Sequence, residues 1–217
     1  MCFSATASFG AGAALGVIGI ASLTRIKRKS DIAFASVPLL FAIQQVTEGL
    51  NWLSLTPPVN PQLNWYATTI FLIFAQVFWC VWIPVSMLFL PGKQRRQKIQ
   101  WLFVAMGAAE ALYQAYLLLN YPFHSEIAGH HILYDIKHPS ALNYVEPLFY
   151  IGAILAPPFF CRVKGMLFLA VANLVSCLVT FIFYTRYTFS IWCFFAAIIS
   201  ISVFYILKRN NETREPA

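Results

Sequence analysis

Two carboxylates stand where a carboxylate is costly. Glu48 and Glu110 each interrupt a long apolar run, and each has a glutamine one helical turn away, Gln44 before Glu48 and Gln114 after Glu110. An i, i+4 spacing places each pair on one face of a helix, and Gln45, Asn51, Trp52 and Tyr113 extend the polar surface nearby. A carboxyl group in such a setting must face the bundle interior, pair or keep its proton, and an intramembrane ionisable group is a functional candidate by default. The bland account is glue: neutral carboxyl and amide groups hydrogen-bonded between helices. The functional account is a pocket with Glu48 and Glu110 as its catalytic groups, Gln44, Gln114, Trp52 and Tyr113 in its wall, and Glu146 at its rim.

All four histidines, His124, His130, His131 and His138, fall within one stretch that also carries Glu126 and Asp135. Imidazole and carboxylate are ligands for zinc and related metals, although the spacing here matches no regular zinc pattern and a solvated polar loop explains it as well. Cys2 occupies the extreme N-terminus, where loss of Met1 would set a thiol beside a free amine. Together with Glu48, Glu110 and one or both of His130 and His131, Cys2 completes a candidate set for zinc or another divalent metal.

The elements that must position these groups are apolar helices. Hydrophobic residues make up 59% of the chain and charged residues only 11%, against roughly 25% charged in soluble domains. Too few charges remain to build a polar exterior, so the bilayer is the expected partner of the surface. Apolar segments run approximately over 7–24, 32–55, 65–90, 99–119, 145–161, 165–184 and 189–207. Most approach the ~20 residues needed to cross a hydrocarbon core about 30 Å thick. The fifth is the shortest, and Pro147, Pro157 and Pro158 predict irregular ends for it. The longest connection, about 120–144, holds the histidines.

Orientation follows from the basic residues. With the loops alternating, one side holds Arg25, Lys27, Arg28, Lys29, Lys93, Arg95, Arg96, Lys98, Arg162, Lys164, Lys208, Arg209 and Arg214, and the other only Lys137 and Arg186. The positive-inside rule makes the rich side cytoplasmic. The expectation is an all-α membrane protein, one domain over residues 1–217, with seven transmembrane helices, the N-terminus outside and the C-terminus in the cytoplasm. On that topology Glu48 and Glu110 both lie in the middle to outer half, roughly sixteen and eleven residues up two ascending helices at ~1.5 Å per residue. The first run is no secretory signal, because its basic cluster follows the apolar stretch. Within it, Gly12 and Gly16 have the small-residue spacing that lets another helix approach.

The opening Met1-Cys2-Phe3-Ser4-Ala5-Thr6-Ala7-Ser8-Phe9, followed by Phe41-Ala42-Ile43-Gln44-Gln45 and Glu48-Gly49-Leu50 with Trp52, resembles a family of bacterial membrane proteins described only as a domain of unknown function. The resemblance spans most of the chain, implies a bacterial inner-membrane location and implies no activity. A looser likeness is to seven-helix ceramidase and adiponectin-receptor-like hydrolases, which hold zinc within the bundle. Their histidines lie inside helices late in the chain, whereas this sequence has none after His138.

The formal charge of +7 sits in short clusters between apolar runs, which marks loops and argues against nucleic acid as a partner. No nucleophile elbow, Walker motif, dinucleotide fingerprint or Cys-x-x-Cys pair occurs. Two functions compete. A metal-dependent membrane hydrolase would use the ion to activate water while Glu48 or Glu110 moves protons. A transporter, channel or receptor would use the same acids to bind a cation or a small polar ligand, with a lipid or small molecule as partner.

Overall fold

Long apolar stretches punctuated by Pro, Gly, Asn and Ser fold here as helices with chemically defined starts. The computed structural model describes residues 4–90, 94–137 and 146–212. Helix α1 (Ala5–Thr24) is capped by the Ser4 hydroxyl, which accepts from the Ala7 amide at 3.2 Å. Helices α2 (Ile32–Ala35) and α3 (Val37–Leu55) run on through Ser36 as one rod. Asn60 caps α4 (Pro61–Leu72), with Pro61 at the position where a missing N–H costs nothing. A π turn, Ile73–Phe78, joins α4 to α5 (Trp79–Phe89). Helices α6 (Gln94–Asn120), α7 (Glu146–Phe159), α8 (Met166–Phe183) and α9 (Thr188–Glu212) complete the set.

Among the described residues these helices form seven rods, six of them long and apolar enough to cross a membrane. The seventh, α7, has 14 residues with Pro157 and Pro158 in its last turn. At ~1.5 Å per residue it extends about 21 Å, short of a hydrocarbon core. Helix α7 is regular from Glu146 onward, so Pro147 does not disturb its start: a proline in the first turn lacks only an N–H that would have no helical partner.

The histidine stretch departs from the all-α expectation. Strands β1 (Phe123–Ala128) and β2 (His131–Ile136) form an antiparallel hairpin in which Phe123 pairs with Ile136 and Ala128 with His131. The two-residue connection carries Gly129 at φ +64, where glycine avoids the strain a side chain would meet. Alternation gives the physical reason for strands: Ser125, Ile132 and Tyr134 are buried against the bundle, whereas His124, Glu126 and His130 are exposed.

The hairpin caps the end of the bundle reached by the α3–α4 and α8–α9 connections. The opposite end carries Arg25, Lys27, Arg28, Lys29, Arg162, Lys164, Lys208 and Arg209. There Arg25 lies over the Phe204 ring at 5.9 Å, and the Asn210 amide donates to the Lys164 carbonyl at 3.0 Å.

Close packing rests on glycines, but not on the pair the spacing singled out. A Cβ on Gly12 would meet Val46 and the Ala42 carbonyl at 3.0 and 3.2 Å, and one on Gly19 would meet Leu39 at 2.6 Å, whereas nothing lies within 4 Å of Gly16. The seam of α1 against α3 is therefore the stripe Ser8, Gly12, Leu15, Gly19 and Ser22, all buried, at alternating steps of four and three. Gly16 falls off that stripe. The tightest approach is elsewhere: a Cβ on Gly107 would stand 1.9 Å from the Cys80 carbonyl oxygen.

Gly107→Ala is accordingly expected to lower the Tm of the purified protein in detergent, with a cost of about 1–3 kcal/mol or more for overpacking against backbone. Gly10→Ala, with nothing within 4 Å of its Cβ, should be neutral or gain up to ~1 kcal/mol from helix propensity. Equal stability of the two variants in thermal unfolding would contradict the packing of α5 on α6.

Candidate functional site

The two buried acids use different partners. Glu48, fully buried on α3, accepts a hydrogen bond of 2.5 Å from the Ser190 hydroxyl of α9. Glu110 accepts from Gln114, one turn along α6, at 2.8 Å. The corresponding pair on α3 does not form a direct bond: Gln44 turns to α5, where its Oε1 accepts from the Trp79 indole N–H at 2.7 Å. Helix α3 packs mainly on α1, α4 and α9, and α6 on α5, α7 and the π turn.

A cavity of about 50 Å³ lies among α2, α3, α5, α7, α8 and α9. Its wall takes Phe34 and Phe41 from α2 and α3, Trp79 from α5, Tyr150 from α7, Asn173 from α8, and Trp192 and Cys193 from α9. Phe41 stacks on Trp79 with ring centroids 4.0 Å apart, and Tyr150 meets Trp192 edge-on at 5.8 Å. The Tyr150 hydroxyl donates to the Ala75 carbonyl of the π turn. Neither acid lines the cavity; Glu48 is joined to α9 at Ser190, two residues before Trp192 of its wall.

Two polar atoms in this wall have no hydrogen-bond partner among the described residues, Asn173 Oδ1 and Trp192 Nε1. Both residues are more than nine-tenths buried. A buried acceptor or donor left without a partner costs about 1–3 kcal/mol, so two residues of a largely apolar, aromatic lining each hold an unused polar atom. Toward the basic end the lining is Val37, Ile83, Met87, Ile154, Leu169 and Val203.

The hairpin end contrasts with this. Asn51 is fully buried and acts as a hub: its Nδ2 donates to the Tyr134 hydroxyl at 3.1 Å, and its Oδ1 accepts from Asn64 at 2.8 Å and Thr68 at 3.1 Å. Asn64 Nδ2 also lies 2.8 Å from the Ser125 hydroxyl, which is 2.8 Å from Thr68 Oγ1. Ser54 joins through its bond to the Asn51 carbonyl. Phe71 stacks on Tyr134 at 4.3 Å beside Trp52 and fully buried Ile132. This network was only partly visible in the sequence. Asn51 was evident, whereas Asn64 and Thr68 required an i, i+4 reading of α4, and Ser125 and Tyr134 required the strand alternation.

The remaining nominated residues are dispersed. His130 is exposed in the hairpin turn. His131 packs against the α8–α9 connection, 4.7 Å from the Tyr187 ring and 5.8 Å from that of Tyr184. Partial burial holds its pKa below the usual imidazole value, and neighbouring His130 acts in the same direction. His124 and Asp135, opposed in the register, are 4.0 Å apart and solvent-exposed. Trp52 lies under the hairpin with its indole N–H unpartnered among the described residues, and Tyr113 is half-buried on α6. Among the described residues no three His, Cys, Asp or Glu side chains gather as a metal-binding group. Cys2, His138 and the Glu146 side chain lie outside the described residues.

Fold and site together define a helical bundle with membrane-length apolar rods, a hairpin cap over one end and an aromatic cavity within. The chain belongs to a family described as a family of unknown function (DUF6629), whose profile matches residues 1–217. No curated protein and no solved structure matches it.

Asn51→Leu is expected to destabilise the hairpin end by about 2–4 kcal/mol, because Asn64, Thr68 and Tyr134 would each lose a buried partner. Hydrogen exchange should show the amides of β1 and β2 opening first. Unchanged protection of those strands would contradict the hub.

Proposed function

We propose that this chain is an integral membrane protein of a bacterial inner membrane that crosses the bilayer seven times, hairpin end outside and basic end in the cytoplasm. We further propose that it binds a small, largely apolar molecule inside the bundle. Six rods of suitable length and hydropathy, and the grouping of basic residues at one end, support the first part. One observation carries the second: the aromatic cavity with Asn173 Oδ1 and Trp192 Nε1 left unused in its wall. Ligand pockets are typically apolar and aromatic enclosures with a few convergent polar groups, and the lining here has that chemistry. Ligand access would involve rotamer changes around the cavity, since about 50 Å³ is well below the size of a typical small-molecule site.

In this reading Glu48 and Glu110 stand behind the wall as positioning groups. Glu48 fixes α9 against α3 through Ser190, and Glu110 is held along its own helix by Gln114. The chemistry of the receptor or transporter alternative fits this arrangement better than a zinc-dependent hydrolase. Of the proposed donors, Glu48 bonds Ser190, Glu110 bonds Gln114, His131 packs on tyrosines and His130 sits in an exposed turn. A hydrolytic ion would need several of them on one centre.

Protein extracted from membranes in mild detergent should carry a small organic molecule at near one-to-one occupancy in native mass spectrometry. Ala196→Phe, which fills the cavity, should release it. Trp192→Phe keeps the ring but removes the N–H donor, and should lower occupancy about two- to tenfold, the equivalent of one net hydrogen bond. A protein that carries no such molecule but holds stoichiometric zinc, lost in Glu48→Gln, would reject this reading in favour of the hydrolase.

A further inference from the structure

A second, open groove of about 430 Å³ runs along the outside of α8 and α9. Phe168, Val171, Ala172, Val175 and Val179 of α8 line it with Phe195 and Ile199 of α9. Phe168, Val171 and Val175 are 70%, 45% and 52% exposed, so this face has no protein covering it. Its one hydroxyl, on Ser176, already donates to the Asn173 carbonyl one turn back, and nothing in the groove asks for a polar partner.

The groove and the internal cavity share one residue. Ile199 lines both, half-buried, with Trp192, Ala196 and Val203 of its own helix on the cavity side and Phe195 on the groove side. Helix α8 makes the same division: Leu169 and Asn173 face the cavity, while Val171, Val175 and Ser176 face the groove. The partition between hydrocarbon and cavity is thus one aliphatic side chain thick at this point. One side chain is a thinner barrier than the hairpin end, which is closed by a cross-linked hydrogen-bond network over Asn51.

We propose that the cavity is loaded sideways from the bilayer, between α8 and α9 past Ile199, and that its ligand is a membrane-dissolved amphiphile with one small neutral head. The inference rests on the reading of the cavity as a ligand site. An apolar groove passes a chain or ring at no desolvation cost but penalises a fixed charge. Of the lining residues, Asn173 with its side-chain amide oxygen and Trp192 with its indole N–H have no partner for these groups among the described residues, and together they suit a hydroxyl or primary amide, which donates to one and accepts from the other. A free fatty acid or phospholipid head would bring a charge with no cationic residue in the lining to meet it.

Diazirine-bearing hexadecanol in phosphatidylcholine vesicles tests this. After photolysis of the reconstituted protein, peptide mass spectrometry should place label on the groove at Val171 and Val175 and in the cavity at Asn173 and Trp192. Ile199→Trp, which thickens the partition, should cut cavity labelling about tenfold while groove labelling stays, and Ile199→Ala should speed cavity labelling by a similar factor. If Ile199→Trp fails to fold, Ile199→Ala alone decides, and an unchanged rate in it overturns the lateral route. Cavity labelling at the wild-type rate in both variants would also overturn the route and leave the cavity reading standing. Groove labelling without cavity labelling in either the wild type or Ile199→Ala would remove both.

Discussion

The fold turns on three polar side chains of the apolar helix α3 that bond to different neighbours. Asn51 bonds the hairpin and α4, Glu48 bonds α9 and Gln44 bonds α5. In an apolar surrounding such bonds are directional and costly to break, and these three side chains tie one helix to four packing partners. The remaining contact of α3, with α1, is made by close backbone approach at Gly12 and Gly19. Helix α3 is thereby the axis on which the other rods are set.

The two halves of the bundle divide the work. At the hairpin end, amides and hydroxyls from α3, α4, β1 and β2 satisfy one another, which excludes water and closes the end. Beyond it, aromatic and branched side chains meet without filling the space between them, and Asn173 Oδ1 and Trp192 Nε1 there have no partner among the described residues. The π turn connects the halves. Gln76, Trp79 and Cys80 are all buried along it, and π turns of this kind recur at functional sites. Tyr150 reaches the Ala75 carbonyl within it, tying α7 to the same segment.

Much of this was legible in the sequence because it depends on composition and period. Seven apolar runs correspond to seven rods, with boundaries differing by a few residues where polar residues such as Gln94 or Asn210 continue a helix beyond its apolar part. Burial of Glu48 and Glu110 followed from their position in those runs. What each would bond did not, because Ser190 is 142 residues from Glu48 and nothing in the local pattern connects them. The hairpin was hidden by its polar strand face, since His124, Glu126 and His130 read as a solvated loop until their alternation with Ser125, Ile132 and Tyr134 is counted. The cavity could not be read at all. It arises from side chains of six helices failing to fill a space, and no local spacing encodes an absence of packing. Histidine clustering suggested ligation, but strand geometry sends His130 into solvent and His131 toward Tyr187.

A hydrogen-bonded hairpin closes one end of a bundle of membrane-length helices, the end proposed to face outside. Single cysteines at three positions, probed in intact cells with a membrane-impermeant maleimide, test it most directly. His130→Cys at the exposed turn should react from outside, Lys27→Cys at the basic end only after the membrane is permeabilised, and Ile132→Cys under the hairpin on neither side until the protein is denatured. External labelling of Lys27→Cys, or ready labelling of Ile132→Cys in the folded protein, would contradict the account.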